Sequence, residues 1–273
     1  MRRGRIGVFD SGVGGLTVAA RIQEEMPELA LHYFGDTAHV PYGNRTAEDI
    51  QFLVRAIVDY LVKEGCQALV MACNTSSALA LESVREWCPV PVVGIIEPAA
   101  RAATALTRNG RIGLIANPLT ARCGAYERAI SPVVPLNQAP LLKVFPVACP
   151  KLVPLVEAGL VSGPETTEAL LEYLNPLIEE RIDTLILGCT HYPFLLPAIQ
   201  EILGREVAVV DPAEYVVQEL KMLGIRGGPG PTHRFEVSAA PLEFERVGTR
   251  LLGRVLSGVG QVELIRAQRA AAS

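Results

Sequence analysis

A chain of 273 residues that is 49% hydrophobic, 5% aromatic and carries a formal charge of −4 has the material for one large or two medium packed domains. The mild acidity and the lack of a Lys/Arg-rich run exclude the electrostatic footprint of a nucleic-acid binder. No apolar run approaches the roughly 20 residues of a membrane helix, and Met1 to Gly4 leads straight into a strand pattern instead of a signal-peptide core, so the expectation is a soluble, cytoplasmic protein.

In chain order, apolar runs of strand length fall near 5–9, 31–34, 68–72, 92–96, 111–116, 142–147, 184–188, 206–210 and 234–238. Helical periodicity fills 15–26, 46–64, 77–87, 98–108, 119–130, 165–180, 194–203, 213–223 and 242–256. Thr46 followed by Asp49 predicts a capped start for the second helix, and Gly65 its end. Pro-rich ground at 131–140 and the cluster Gly227 to Pro231 read as surface connections, and the tail past Gln261 as frayed. Strands alternating with helices predict an α/β fold of mostly parallel, doubly wound sheets.

An internal repeat organises this pattern. Arg5-Ile6-Gly7-Val8-Phe9 is echoed by Arg111-Ile112-Gly113-Leu114-Ile115. The stretch from Cys73 to Glu97-Pro98-Ala99 is echoed by that from Cys189 to Asp211-Pro212-Ala213. The chain therefore reads as two pseudo-symmetric lobes around a central cleft, one of residues 1–97 plus 211–273, the other of 98–210. Ligands of open α/β sheets bind beyond the carboxyl ends of the strands, which sets Cys73 and Cys189 on opposite walls of that cleft.

Six cysteines in a chain of this size without an export signal predict reduced thiols, most of them buried fillers. Cys73 and Cys189 stand apart, because each ends an apolar run and precedes polar residues that open a helix. Two thiols facing one small molecule suit proton removal from one face of a stereocentre and its return on the other. A thiol near 8.5 is close to a working pH, and a helix N-terminus is expected to lower it further. Backbone N–H groups after Ser11, Asn74 and Thr190 are candidate donors to a carboxylate. A zinc site from Cys73, Cys189 and His191 lacks a further ligand pair, and a redox disulfide fits the spacing no better. Asp10-Ser11-Gly12-Val13-Gly14-Gly15 matches neither a dinucleotide fingerprint nor a P-loop. Asp10 and Ser11 end one strand and Asp36 another, and Pro41-Tyr42-Gly43 forms a loop beyond it.

The segments Ile6 to Gly15, Pro41-Tyr42-Gly43, Ala72-Cys73-Asn74-Thr75 and Leu187-Gly188-Cys189-Thr190-His191-Tyr192-Pro193 together resemble the glutamate racemases of the aspartate/glutamate racemase family, over nearly the whole chain and in the same order. The resemblance implies interconversion of L- and D-glutamate with no cofactor and no metal, supplying D-glutamate for peptidoglycan. It implies that Cys73 acts on the D enantiomer and Cys189 on the L. It further implies substrate contacts from Asp10, Ser11, Tyr42, Gly43, Asn74, Thr75, Thr190 and His191, with Asp36 and Glu157 as supporting acids. Family members often form dimers, so a homodimer is among the expected assemblies, with neither nucleic acid nor membrane as partner. Asn117 stands where the family often has Thr, and Pro212 where Ser often follows the acid. His191 occupies a place that is typically Glu in aspartate racemases, which favours glutamate. The rival readings are an aspartate racemase or a one-cysteine decarboxylase of the same superfamily, and a non-catalytic two-lobed dicarboxylate-binding protein.

Overall fold

Every run expected as a strand is one, in a computed structural model that describes residues 4–131, 142–227 and 231–264. The first half comprises β1 (Arg5–Asp10), α1 (Leu16–Glu25), β2 (Ala30–Gly35), α2 (Ala47–Lys63), β3 (Ala68–Met71), α3 (Asn74–Trp87), β4 (Val92–Gly94) and α4 (Ile96–Leu106). There follow β5 (Arg111–Ala116), α5 (Pro118–Arg122), α6 (Ala125–Ile130), β6 (Lys143–Ala148), α7 (Leu152–Ala158), α8 (Pro164–Glu179), β7 (Thr184–Gly188) and α9 (Leu196–Leu203). The chain continues through β8 (Ala208–Val210), α10 (Pro212–Met222), β9 (Arg234–Val237), α11 (Pro241–Leu252) and β10 (Gly260–Gln261).

The strands form two sheets, ordered β10-β9-β2-β1-β3-β4 and β6-β5-β7-β8, and every pairing among the described residues is parallel. The expected α/β class is borne out. The second sheet repeats the order β2-β1-β3-β4 of the first, as the sequence echo requires, and β9 and β10 extend the first sheet past β2.

Strand residues alternate between two faces, so each sheet serves two cores. Ile6, Val8, Ala68 and Val70 join Ile112, Leu114 and Ile186 in one core that also buries α1, α4 and α10. Phe9, Leu69 and Met71 face the other way, against α2 and α3. Leu185 and Leu187 pack against α7, α8 and α9 on the far side of the second sheet. Helices therefore lie between the sheets as well as outside them. Cys73 and Cys189 each fall in the outer core of their own sheet.

Several expectations change in detail. Thr46 accepts a hydrogen bond from the Asp49 N–H at 3.1 Å and caps α2 as predicted. The helix after Cys73 starts at Asn74 rather than near 77, with Cys73 as its flanking residue, so Asn74 to Ser77 form its first turn instead of capping it. Periodicity over 119–130 is divided into α5 and α6 at Gly124, whose φ of 68° is left-handed. Helix α7 was not expected, because Pro150 and Pro154 interrupt its apolar pattern; Pro154 lies in its first turn, where no N–H is missed. The connection over 131–140 lies almost wholly outside the described residues, as does the middle of Gly227 to Pro231. The tail past Gln261 is ordered further than expected: the Val262 N–H donates to the Val237 carbonyl at 2.9 Å, and Leu264 packs on the α2 side of the sheet.

Candidate active site

The carboxyl ends of β1, β2, β3, β5, β6 and β7 converge on one cavity of about 480 Å³. Cys73, just past β3, and Cys189, just past β7, both line it. They come from equivalent strands of the two sheets. Of the other residues singled out in the sequence, Ser11, Tyr42, Gly43, Asn74, Thr75, Glu157, Thr190 and His191 also line the cavity. Asp10 and Asp36 do not; both are buried behind its wall.

Asp10 acts on the site through its neighbours. Its carboxylate accepts the Gly12 N–H at 2.8 Å and the Thr190 hydroxyl at 3.3 Å, tying the end of β1 to the residue after Cys189. That bond corrects one expectation: the amide following Ser11 is committed to Asp10 and is not free for a ligand. In the first turn of α3 the Ser77 N–H donates to the Cys73 carbonyl at 2.9 Å and the Ser76 N–H bonds to Cys73, which leaves the N–H groups of Asn74 and Thr75 as the unpaired donors of the helix start. Burial raises the Asp10 carboxyl above its ordinary value, opposed by the His191 charge and by hydrogen bonds from Gly12, Gly15 and Thr190.

Asp36 holds the Tyr42 loop. It accepts from the Tyr42 hydroxyl at 2.7 Å and the Ser238 hydroxyl at 2.8 Å, and it meets His39 Nδ1 at 2.7 Å. Burial and the Asp36 charge push the Tyr42 hydroxyl well above its usual range, which leaves it a donor.

The surroundings of the two thiols differ. Burial raises Cys73 to about 11, and the Asp10 charge adds to it. Hydrogen bonds from Ser76 and Ser11 pull the other way, with Cys73 Sγ 3.8 Å from Ser11 Oγ. The expectation that a helix start lowers this thiol is therefore not met: desolvation and a neighbouring anion outweigh the donors of one helical turn. Cys189 has a cationic neighbour instead. Its Sγ lies 3.7 Å from His191 Nδ1, and His191 Nε2 meets Glu157 Oε1 at 3.0 Å. Burial alone would lower the His191 imidazole; the hydrogen bonds to Cys189 and Glu157, and their charges, raise it above its ordinary value. Glu157 reaches His191 from the unexpected helix α7.

The cavity contains residues that sequence reasoning missed. Cys149 and Pro150 line it from the end of β6. The shared sheet order makes β6 the counterpart of β2, so the repeat that exposed Cys189 would also have matched Cys149 to Asp36. Asn117 lines it from the end of β5, accepting the Leu119 and Thr120 N–H groups while its Nδ2 donates to Thr75 Oγ1 at 2.6 Å. Pro212 opens α10, which Asp211 caps, away from the cavity. Among the described residues no group of three His, Cys, Asp or Glu side chains could hold a metal ion.

Among the described residues no lysine or arginine lines the cavity, so a carboxylate bound there meets backbone N–H groups, hydroxyls, amides and the His191 ring from these residues. The two thiols thus have different neighbours, His191 beside Cys189 and Asp10 near Cys73.

The chain is 43% identical to a glutamate racemase of Desulforudis audaxviator, over 97% of this chain and 100% of that one. Its fold superposes on the crystal structure of a glutamate racemase from Bacillus anthracis with a TM-score of 0.89, at 39% identity and covering 96% of this chain and 98% of that one. A glutamate racemase from Francisella tularensis, solved with D-glutamate, gives a TM-score of 0.88 at 32% identity, covering 97% and 99%. A family model described as Asp/Glu/Hydantoin racemase matches residues 14–220, a span that contains Cys73, Cys149 and Cys189 and most of the two sheets. With that match and relatives alike from end to end, the chain belongs to the Asp/Glu/Hydantoin racemase family.

Proposed function

We propose that this protein interconverts L- and D-glutamate by two-base proton transfer between Cys73 and Cys189, without pyridoxal phosphate or metal. The observation that carries the reading is the pair of cysteines, from equivalent strand ends of two like-ordered sheets, on one cavity. The glutamate racemase names of its full-length relatives supply the substrate.

For D-glutamate, the Cys73 thiolate takes the α-hydrogen as a proton. The electron pair left behind delocalises into the α-carboxylate, and the Cys189 thiol returns a proton to the opposite face. Cys73 ends as thiol and Cys189 as thiolate, and L-glutamate runs the same path backwards. His191 lies beside Cys189 at 3.7 Å, while burial and the Asp10 charge keep Cys73 a thiol at neutral pH. An α-ammonium group brought into the cavity offsets the Asp10 charge that disfavours the Cys73 thiolate. Positioned proton transfer contributes about 10²–10⁴ in rate. Donors aimed at the oxygens where charge develops supply the rest, from Asn74, Thr75, Thr190 and the first turn of α3.

In the same reading the catalytic lobes are residues 1–97 with 211–273, and 98–210. The product serves peptidoglycan synthesis in the cytoplasm, and the working unit is a monomer or a homodimer.

Polarimetry on purified, pyridoxal-phosphate-free protein tests this. Optical rotation of L-glutamate decays to zero, aspartate is turned over far more slowly, and Cys73→Ser folds but loses at least about 10² in rate. Unchanged rotation, activity only after pyridoxal phosphate is added, or a fully active Cys73→Ser would overturn the reading.

A further inference from the structure

We propose that Tyr126, which is not a lining residue of the cavity, is a positioning residue for substrate: its hydroxyl fixes which end of the Asn74 amide faces the ligand. The argument rests on the glutamate reading above and starts from an orphaned donor. Asn74 lines the cavity and is 3% exposed, and its Nδ2 is buried with no hydrogen-bond partner. Buried donors are rarely left unmade, and one at a ligand cavity awaits an acceptor. The other end of the amide is taken, because the Tyr126 hydroxyl donates to Asn74 Oδ1 at 2.6 Å.

The two ends of an amide are chemically opposite, and a ligand carboxylate accepts from Nδ2 but is repelled by Oδ1. Tyr126 makes the choice. It is 0% exposed, and among the described residues its hydroxyl hydrogen goes to Asn74 Oδ1. Turning the amide over would give Nδ2 to the tyrosine oxygen, strand the tyrosine hydrogen and aim Oδ1 into the cavity. Two groups would then be unmatched where one is now, and that one is the group a carboxylate satisfies. Burial also raises the Tyr126 hydroxyl above its usual range, which keeps the hydrogen in place.

Placement supports the assignment. Tyr126 lies on α6, which follows a strand of the second sheet, whereas Asn74 opens α3 at the end of a strand of the first. The donor is therefore set from across the molecule, one residue from Cys73. Among the described residues no other hydrogen bond holds the Asn74 amide.

The test uses the full chain and Tyr126→Phe, which keeps the ring and removes only the hydroxyl. With folding checked by circular dichroism, kcat/KM for both glutamate enantiomers falls about tenfold, carried mainly by KM, the fold-change of one hydrogen bond. In an Asn74→Ala background the same substitution has no further effect on KM, an outcome that a merely structural role for the hydroxyl does not produce. Unchanged kinetics in Tyr126→Phe, or an equal loss in the Asn74→Ala background, overturns the proposal. A wild-type protein that binds glutamate by calorimetry but does not racemise it sinks the racemase reading alone, and the same comparison is then read on Kd. A wild-type protein that binds no glutamate sinks both.

Discussion

Two thiols on one cavity are inequivalent when their charged neighbours differ. Cys73 has Asp10 as an anionic neighbour, and Cys189 has the His191–Glu157 pair. This asymmetry predicts a direct effect of Asp10→Asn. An adjacent anion raises a thiol, so its removal moves Cys73 down from about 11. Alkylation of the Cys73 peptide, followed by mass spectrometry across a pH series, reports the midpoint. It shifts to lower pH in Asp10→Asn, and an unmoved or higher midpoint contradicts the electrostatic account. At this scale the sequence revealed both cysteines and most of the polar lining. It did not reveal that Asp10 and Asp36 stand behind the wall, because neither alternation nor spacing says which carboxylates a neighbouring loop has already claimed. Cys149 was missed, because it is followed by Pro150 rather than by the polar residues that mark Cys73 and Cys189.

The elements carry the site through contacts between segments distant in sequence. Gly14, in the turn between β1 and α1, packs against Thr190 and His191 so closely that a Cβ there would overlap Thr190 Oγ1 and His191 Nδ1. Gly14→Ala therefore pushes the residues beside Cys189 off their positions. Overpacking of this kind costs about 1–3 kcal/mol. Steady-state assays and urea denaturation together check it: kcat/KM falls more than tenfold while the chain stays folded, and an unaffected kcat/KM contradicts the placement. Strand and helix positions were largely legible, since apolar runs and helical periodicity are strong in this chain. Helix α7 was not legible, because Pro150 before it and Pro154 within it look like breakers and only the structure reveals that Pro154 falls where a helix tolerates one. The early start of α3 was missed for a related reason: Asn, Thr and Ser favour caps, yet here they occupy a buried first turn whose side chains bond back to the strand end, Ser77 Oγ to the Met71 carbonyl at 2.8 Å.

Over the whole molecule, the cavity exists because two copies of one strand order face each other across a shared helical layer. The echo between the Cys73 and Cys189 segments carries that duplication in the sequence itself. Its crossing contacts were invisible, because nothing local records that Asn74 meets Tyr126, that Thr75 meets Asn117, or that Thr190 meets Asp10. The residues just after Cys73 and Cys189, Asn74 and Thr190, are thus each bonded to an element of the opposite sheet. The source of the hydrogen delivered to the product tests this most directly. Protiated D-glutamate is turned over in heavy water without added cofactor, and both enantiomers are analysed for deuterium at low conversion. Two opposed thiols predict L-glutamate deuterated at the α-carbon while unreacted D-glutamate stays protiated. L-Glutamate that keeps its protium, or label appearing equally in both pools, would contradict it.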